Sequence, residues 1–290
     1  MHIHTKTGSD GNLTIEDVFQ EAKNRDINLI SITDHDSIAC QRRAIGLARK
    51  HGMSYITGVE VNVTFRYPEA SKDVSLDFLG YGYDASNREL MSKLQLIKEY
   101  RKRRARRILR NLNIEFDREG IERFTEEDLR KIEEGVDGVF GRPHIANYLV
   151  EKGIVRDKQE AFDKYLVKCD VPKYPLPLAE ASRLIRNAGG KLVHAHPGDP
   201  KGTSLASITH NLEKQMKIIE KYMLKYIDGV ECWHPEHDEE TTAHYIEFAR
   251  KHNLLMTGGS DCHQKPLLMG TLDIPDWVAD QFKLMSFSRS

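Results

Sequence analysis

Histidines and carboxylates recur in closely spaced sets along this chain of 290 residues, which holds 13 histidines. Three pairs have members two residues apart: His2 with His4, His194 with His196, and Asp261 with His263. On a strand, residues at this spacing point to the same face. Neutral imidazoles and ionised carboxylates are ligands for Zn, Mn or Fe, and one site takes about three protein ligands plus water. The set therefore predicts two or three divalent metal ions.

Predicted strands position these side chains. The strands are at residues 27–33, 54–59, 61–65, 76–82, 191–195, 227–232 and 254–257, and helices are predicted at 14–24, 37–51, 205–226 and 239–252. The strands at 61–65 and 76–82 are predicted to form a hairpin or to be adjacent. Alternation of strands and helices of this length is typical of a parallel sheet or barrel. The carboxyl ends of barrel strands converge on one face, so we expect the histidines and carboxylates to meet there.

The pattern divides the chain into three segments. Residues 88–181 have a helical pattern with few β-branched runs, and alternation returns at Gly190. We therefore predict an α/β fold whose first segment is 1–87, an all-helical insertion domain at 88–181, and a second α/β segment at 182–290.

Composition excludes several classes of protein. The 43 basic and 44 acidic residues give a net charge of −1, which argues against wholesale nucleic-acid binding. No apolar run approaches the ~18 residues of a membrane span, and the start has no basic leader followed by an apolar stretch. Four widely spaced cysteines indicate neither a disulfide framework nor a zinc knuckle. We expect a cytoplasmic protein with no obligate protein partner.

Six motifs together resemble the polymerase and histidinol phosphatase (PHP) domain. They are His2-Ile3-His4, Ser9-Asp10-Gly11, Thr33-Asp34-His35, Gly58-Val59-Glu60, His196-Pro197-Gly198 and Ser260-Asp261-Cys262-His263. With Gly141-Arg142-Pro143-His144 in the insertion, the chain is most similar to the branch of 3′,5′-nucleoside bisphosphate phosphatases and short-RNA 5′-exonucleases. The resemblance implies a distorted (β/α)7 barrel with a site for two or three metals.

The resemblance also implies a role for each ligand. His2, His4, Glu60 and Asp261 would hold one metal; Glu60 would bridge to a second, completed by His196; Asp10, His35 and His263 would hold a third. The family usually has a histidine on the strand after the Gly-x-Glu motif, and Asp77 stands there in this chain. We expect Asp77 to be a substitute ligand that shifts the metal preference.

Several other residues allow two interpretations. Arg142 and His144 are predicted to grip a substrate phosphate, or alternatively to form a salt bridge at a helix start. His237 is expected either to reach the substrate or to be an exposed loop histidine. Asp34 is expected to orient a neighbouring ligand. The basic run, residues 98–110 with eight basic residues against Glu99, either tracks a nucleic-acid backbone or, as we favour, pairs with the acidic stretch 115–134.

These inferences predict a metal-dependent phosphoesterase that uses metal-activated hydroxide. The expected substrates are phosphomonoesters of nucleotides, namely nucleoside 3′,5′-bisphosphates or short 5′-phosphorylated oligonucleotides. One alternative is a phosphatase for histidinol phosphate or another small molecule. The alternative from another class is a metal-binding regulatory module without catalysis.

Overall fold

The computed structural model describes residues 1–134, 140–264 and 268–282. Its helices are α1 (Ile15–Asn24), α2 (Gln41–His51), α3 (Arg88–Glu119), α4 (Glu126–Glu134), α5 (Arg142–Glu151), α6 (Lys158–Ala161), α7 (Leu178–Asn187), α8 (Leu212–Ile218), α9 (Glu239–Lys251) and α10 (Trp277–Asp280). Its strands are β1 (Leu29–Ile30), β2 (Ser54–Tyr55), β3 (Gly58–Phe65), β4 (Val74–Tyr81), β5 (Lys191–His194), β6 (Gly229–Trp233) and β7 (Leu255–Gly258). The predicted α/β class is confirmed.

The strands form two sheets. Five strands follow the order β3-β4-β5-β6-β7, and β1 pairs with β2. Pairing is parallel in β5-β6-β7 and in β1-β2, but antiparallel on both edges of β4. The predicted hairpin of 61–65 with 76–82 is confirmed as the antiparallel pair β3-β4, because a short connection returns the chain directly beside β3. The parallel pairing expected from the alternation of strands and helices does not extend to β4-β5, which is antiparallel. Single parallel bridges, Ile3–Cys262 and His35–Glu60, join the segments around the two sheets.

Side-chain caps set several helix ends where the sequence predicts them. The Thr14 hydroxyl accepts a bond from the Asp17 N–H, and the Asp17 carboxylate accepts one from the Thr14 N–H, both at 3.1 Å. Gly52, in the left-handed region with φ of 68°, ends α2. The start of α2 is later than expected, because the chain first turns so that the Asp36 N–H can donate to the Glu60 carbonyl at 2.7 Å.

Other elements are shorter than their predicted spans. The strand predicted at 27–33 is reduced to β1, because Ile30 pairs with Tyr55 whereas the N–H of Thr33 donates to the Ile3 carbonyl at 2.8 Å. The helix predicted at 205–226 is divided. The Asn211 side chain caps a new helix, α8, at its start.

Two hydrophobic cores are connected by α3. Leu90, Leu94 and Ile97 in its first part pack with strand residues in the main core. From Ala105 onward its buried residues pack in a second core, formed by helices and connecting loops of the segment that extends to Val171. This long helix thus runs from the sheet into the helical segment. In the described ranges, no helix combines the length and apolar character needed to cross a membrane.

Candidate metal centre

The start of the chain places two histidines on one face of an extended segment. Ile3 forms a parallel bridge with Cys262 and donates its N–H to Thr33 Oγ1 at 3.2 Å. The Ile3 side chain lies in an apolar core, so the flanking His2 and His4 point to the opposite face. Both imidazoles are fully buried.

Glu60, in β3, lies at the centre of the converging side chains. Its Oε2 is 3.3 Å from His2 Nε2, 3.1 Å from His4 Nε2 and 3.1 Å from His35 Nδ1. Its Oε1 is 3.1 Å from His196 Nε2. One buried carboxylate thus contacts imidazoles from three separate segments of the chain, which fits the bridging role that the resemblance implies.

Two further carboxylates complete the cluster. Asp261 Oδ1 lies 3.2 Å from His2 Nε2, 3.1 Å from His4 Nε2 and 3.6 Å from His263 Nδ1. Asp10 Oδ1 lies 3.6 Å from His263 Nε2 and 4.0 Å from His35 Nε2. The short segment after β7 and the loop after His4 therefore reach the same place.

The potential ligands form three overlapping groups. Within each group, one ligand atom from every residue lies within 4.8 Å of the others. The groups are His4, Asp10, His35 and His263; His2, His4, Glu60 and Asp261; and Glu60, Asp77 and His196. The structure therefore brings together all nine residues for which a ligand role is predicted, and it adds His4 to the outer group.

Unsatisfied polar atoms at the cluster show that its residues fit divalent cations. Buried polar atoms normally have a hydrogen-bond partner. Six atoms of the cluster have none among the described residues: His2 Nε2, His4 Nε2, Asp10 Oδ1, Glu60 Oε2, His196 Nδ1 and Asp261 Oδ1. Imidazole nitrogens and carboxylate oxygens in this number suit Zn, Mn or Fe.

The cluster strongly favours positive charge. Burial opposes protonation of His4, but the carboxylates of Asp261 and Glu60, each 3.1 Å from Nε2, outweigh burial and raise its pKa to about 10. Burial likewise opposes protonation of His196, and Glu60 raises its pKa to about 9. Burial would raise the pKa of Glu60, yet His35 and His2 hold it well below its usual range. Protons held in this way are released when metals bind, because ligating imidazoles are neutral.

Backbone strain is concentrated at the same place. His196 has a φ of 25° and Asp261 a φ of 45°, and neighbouring Asp36 has a φ of 50°. Non-glycine residues rarely adopt the left-handed region, and such strain is commonly retained at functional sites. Here the strained backbone directs two of the candidate ligands toward the cluster.

Glu231, in β6, orients part of the cluster and was not singled out from the sequence. Its two carboxylate oxygens each lie 3.2 Å from His2 Nδ1, and Oε2 accepts the His196 N–H at 2.9 Å. A carboxylate on the second ring nitrogen fixes the tautomer of a ligating histidine. Its position near the carboxyl end of a predicted strand is the same signal that identified Glu60.

His4 is oriented in a similar way through a serine. Its Nδ1 lies 3.2 Å from Ser9 Oγ, which donates to Asp34 Oδ1 at 3.0 Å. Asp34 also accepts the Thr5 N–H at 2.6 Å. Asp34 thus acts on His4 through Ser9, in agreement with its predicted orienting role.

Comparison with known proteins identifies the family. A sequence model described as "PHP domain" matches residues 1–169, more than half of the chain. The chain belongs to the PHP domain family. The predicted resemblance is confirmed, and this PHP protein is a metal-dependent hydrolase of the phosphoesterase class.

Relatives and solved structures cover nearly the whole chain. A 3′,5′-nucleoside bisphosphate phosphatase of Chromobacterium violaceum is 28% identical over 91% of this chain and 86% of its own. The 5′-3′ exoribonuclease Rnm of Escherichia coli is 27% identical over 91% of this chain and 84% of its own. A crystal structure from Bifidobacterium adolescentis, described as that of a metal-dependent phosphoesterase, has a TM-score of 0.80 and 28% identity, over 99% of this chain and 96% of that one.

Two histidines follow β6 in this PHP protein, and they differ in what they contact. His237 Nδ1 donates to the Cys232 carbonyl at 2.9 Å, and its Nε2 accepts the Gly198 N–H at 3.1 Å. Both nitrogens of His237, the predicted catalytic residue, are therefore engaged with backbone that includes the loop after His196. The buried His234 faces the cluster instead, with its Nε2 3.6 Å from Asp261 Oδ2. Sequence reasoning missed His234, which lies in the same short loop.

The predicted phosphate-gripping residues lie at the start of α5. Arg142 Nη1 donates to Asp170 Oδ2 at 2.8 Å, and its guanidinium stacks on Phe162. His144 Nδ1 lies 3.1 Å from the Gly141 N–H and 3.3 Å from the Gly141 carbonyl oxygen, so this nitrogen contacts the backbone at the helix start. Burial lowers the pKa of His144, although the charge of Asp10 opposes this. Both a helix-start contact and a salt bridge are thus present, as the alternative interpretation expects.

Asp77, in β4, is hydrogen-bonded through both carboxylate oxygens. Asn62 Nδ2 donates to Oδ1 at 2.5 Å, and the Thr203 hydroxyl donates to Oδ2. Burial raises the pKa of Asp77, and Lys173 is the charged group that most opposes this. The carboxylate lies in the group with Glu60 and His196. Its ligand role stays a prediction, and the Asn62 and Thr203 donors would compete with a metal ion for its oxygens.

The basic run lies on α3 and is mostly unpaired with the acidic stretch. Among the described residues, only Arg106 of this run reaches that stretch, at 3.8 Å from Glu126 and 3.9 Å from Glu133. The acidic residues instead pair locally, as Arg123 with Asp117 at 2.6 Å. The favoured expectation of mutual pairing is therefore wrong apart from Arg106, because several acids of the stretch pair with other cations, as Glu115 does with Lys168 and Glu119 with Lys164.

Proposed function

We propose that this PHP protein hydrolyses phosphomonoesters of nucleotides, namely nucleoside 3′,5′-bisphosphates and short 5′-phosphorylated oligonucleotides. The observation that carries the proposal is that the metal-ligand cluster lies beside cations of the helical segment. A substrate with more than one phosphate needs metal ions at one phosphate and cationic side chains at another. The names and near-full coverage of the relatives from Chromobacterium violaceum and Escherichia coli support this substrate class.

The three groups of ligands would hold two or three divalent ions, with Mn, Zn and Fe as candidates. When bound, such ions supply Lewis-acid stabilisation of phosphoryl oxygens and acidify water. Glu60 would be shared between two ions. His2, His4 and Asp261 would hold one of them, and His196 and Asp77 the other. Glu231 and Ser9 hold His2 and His4 in fixed orientations, so the ligands need little rearrangement.

Residues outside the ligand groups would bind and protonate the substrate. His234 Nδ1 accepts the Glu236 N–H at 3.2 Å, so its neutral ring carries a proton on Nε2, which faces Asp261. His144 Nδ1 contacts the Gly141 backbone, and we propose that Nε2 carries the ring proton. Both are placed to donate a hydrogen bond to phosphate or to a leaving oxygen, and Arg142 adds a fixed positive charge.

The same proposal assigns a role to the helical segment. We infer that residues 88–181 form an insertion domain that covers the site, and that the two sheets and their bridges make one distorted barrel of PHP type. The Ile3–Cys262 and His35–Glu60 bridges support this, since each continues the pairing between neighbouring segments.

A phosphate-release screen tests the proposed function. The purified protein is stripped of metal, reloaded with Mn, Zn or Fe, and assayed with adenosine 3′,5′-bisphosphate, a 5′-phosphorylated trinucleotide, histidinol phosphate and p-nitrophenyl phosphate. We expect metal-dependent release, fastest from the nucleotides. Faster release from histidinol phosphate would favour the small-molecule alternative, and metal binding without release from any substrate would favour the regulatory module.

A further inference from the structure

Four cations meet where the helical segment contacts the sheet. Arg101 and Arg104 come from α3, Arg142 from the start of α5, and Lys173 from the loop before α7. Arg101, Arg104 and Lys173 line one small cavity, and Arg104 and Arg142 share a carboxylate partner, Asp170. We call these four side chains the junction cations.

Three of the junction cations have fixed carboxylate partners. Arg101 Nε donates to Asp36 Oδ2 at 2.9 Å. Arg104 donates to one oxygen of Asp170, and Arg142 Nη1 donates to the other at 2.8 Å. Two carboxylates thus face four cations, and the junction carries an excess of two positive charges.

Lys173 is the cation left over. Within the described part of the chain, no carboxylate oxygen lies within the 4.0 Å of a salt bridge from its ammonium group. The side chain is only partly exposed. Burial lowers its pKa, and the charges of Arg101 and Arg142 act in the same direction against those of Asp77 and Asp36. A partly buried ammonium among guanidinium groups is costly unless an anion joins it.

The position of Lys173 connects the junction to the metal centre. Its charge acts on Asp77, which shares a ligand group with Glu60 and His196. Asp36, the partner of Arg101, donates its N–H to the Glu60 carbonyl at 2.7 Å. An anion held at Lys173 therefore lies beside the candidate metal ligands without needing to contact them.

From this juxtaposition we propose that Lys173 binds a second phosphate group of the substrate, the one that is not hydrolysed. This rests on the proposed function, in which a nucleotide carries more than one phosphate. The excess of positive charge over the bonded carboxylates suits a phosphate group, and the tetrahedral group can accept bonds from Lys173 and from N–H groups of Arg142 other than the one that donates to Asp170. Lys173 would thus select bisphosphates over monophosphates.

Two substitutions and a matched control test the proposal. Lys173→Met removes the charge with little change in size, Lys173→Arg keeps it, and Lys93→Met removes a lysine that bonds to Glu180 and to the neighbouring Tyr174 instead. We expect Lys173→Met to lower kcat/KM for adenosine 3′,5′-bisphosphate by about 10- to 100-fold, mainly through KM. The loss with p-nitrophenyl phosphate should be much smaller, because that substrate has no second phosphate, and Lys173→Arg should keep most of the bisphosphate activity.

A binding measurement separates this proposal from the proposed function. In EDTA, calorimetry with adenosine 3′,5′-bisphosphate should show weaker binding to Lys173→Met than to the wild type or Lys93→Met. Lys173→Met should also melt at a higher temperature, because an unpaired charge is removed, whereas a structural role for Lys173 predicts a lower one. Equal losses with both substrates, or unchanged binding in EDTA, would overturn the proposal. A wild type inactive on every phosphomonoester would overturn the proposed function alone.

Discussion

The metal centre and the junction cations lie side by side but have opposite electrostatic requirements. At the centre, several buried carboxylates and imidazoles share contacts and leave ligand atoms unsatisfied, so the protein alone is short of positive charge. At the junction, three cations share two carboxylates, and Lys173 forms no salt bridge within the described residues. Metal ions would complete the first region and an anionic substrate the second. Replacing one ligand of the centre should therefore lower activity on every substrate. Replacing one junction cation should lower activity by an amount that depends on the substrate.

Replacing Glu60 should have the largest effect. Glu60→Gln removes the charge that contacts imidazoles of His2, His4, His35 and His196. We expect a lower metal content by elemental analysis and a loss of kcat/KM on the order of a thousandfold. Glu236→Gln, which alters an exposed partner of Lys201, is the control and should change neither quantity. Unchanged metal content in Glu60→Gln would remove Glu60 from the ligands.

Replacing Arg142 tests the junction side of the comparison. A charge-assisted bond to phosphate corresponds to a loss of roughly 10- to 150-fold in kcat/KM for Arg142→Ala with a bisphosphate. The loss should be smaller with a monophosphate, since that group is engaged at the centre. Arg156→Ala, on an exposed arginine paired with Glu160, is the control. Equal losses with both substrates would contradict a phosphate-gripping role for Arg142.

Replacing Glu231 shows how far the centre depends on its supporting residues. Glu231→Gln weakens the acceptor for His2 Nδ1 while keeping the side-chain size. Such partners of ligands are typically worth about 10- to 100-fold in metal affinity. Titration of the metal-free protein with Mn²⁺ or Zn²⁺ measures the change. If Glu231→Gln binds metal with the affinity of the wild type, the strained backbone of Asp261 and His196 suffices to place the ligands.

The sequence predicts the centre better than the junction, for a physical reason. Ligands such as His2, His4 and Glu60 follow period-two spacing or end a strand, so local pattern places them on a common face. Lys173 lies in a loop, and its lack of a carboxylate partner among the described residues depends on where α3 and α5 place their arginines. Such absence of pairing is a property of tertiary structure that no local pattern contains.

The sheet shows the same limit. The alternation of strands and helices predicts the α/β class, and the cap at Thr14 and the stop at Gly52 are correct to the residue. The antiparallel pairing of β4 with β5 and the two-residue β1 follow from which segments pair, as when Thr33 bonds to Ile3 rather than continuing along β2. Pairing partners distant in sequence decide these features.

The stability of the metal-free protein should depend on pH through the centre. In the folded state the pKa of His4 is about 10 and that of His196 about 9, against an ordinary value of 6.5. Stabilisation by these protonated imidazoles is complete below about pH 6.5 and is lost as pH rises through 9 to 10. The Tm in EDTA should therefore fall between about pH 7 and pH 10. Bound Mn²⁺ should flatten this dependence. An equally steep fall of Tm with pH in Glu60→Gln would contradict the assignment of the dependence to the metal centre.

The smallest effect is expected from the exposed part of the basic run. Arg103, Arg107 and Arg110 are exposed, and in the described ranges none of them lies in a salt bridge with a carboxylate. If they track a single-stranded backbone, neutralising all three should reduce the slope of log affinity against log salt by roughly two units for a 5′-phosphorylated oligonucleotide. Hydrolysis of adenosine 3′,5′-bisphosphate should stay unchanged, because that substrate is too short to reach them. The contacts are screened by salt, so the change should be clear at low salt and nearly absent at high salt. A lower Tm with both activities spared would instead show that these arginines stabilise the helical segment, and the junction cations would then mark the outer limit of the substrate site.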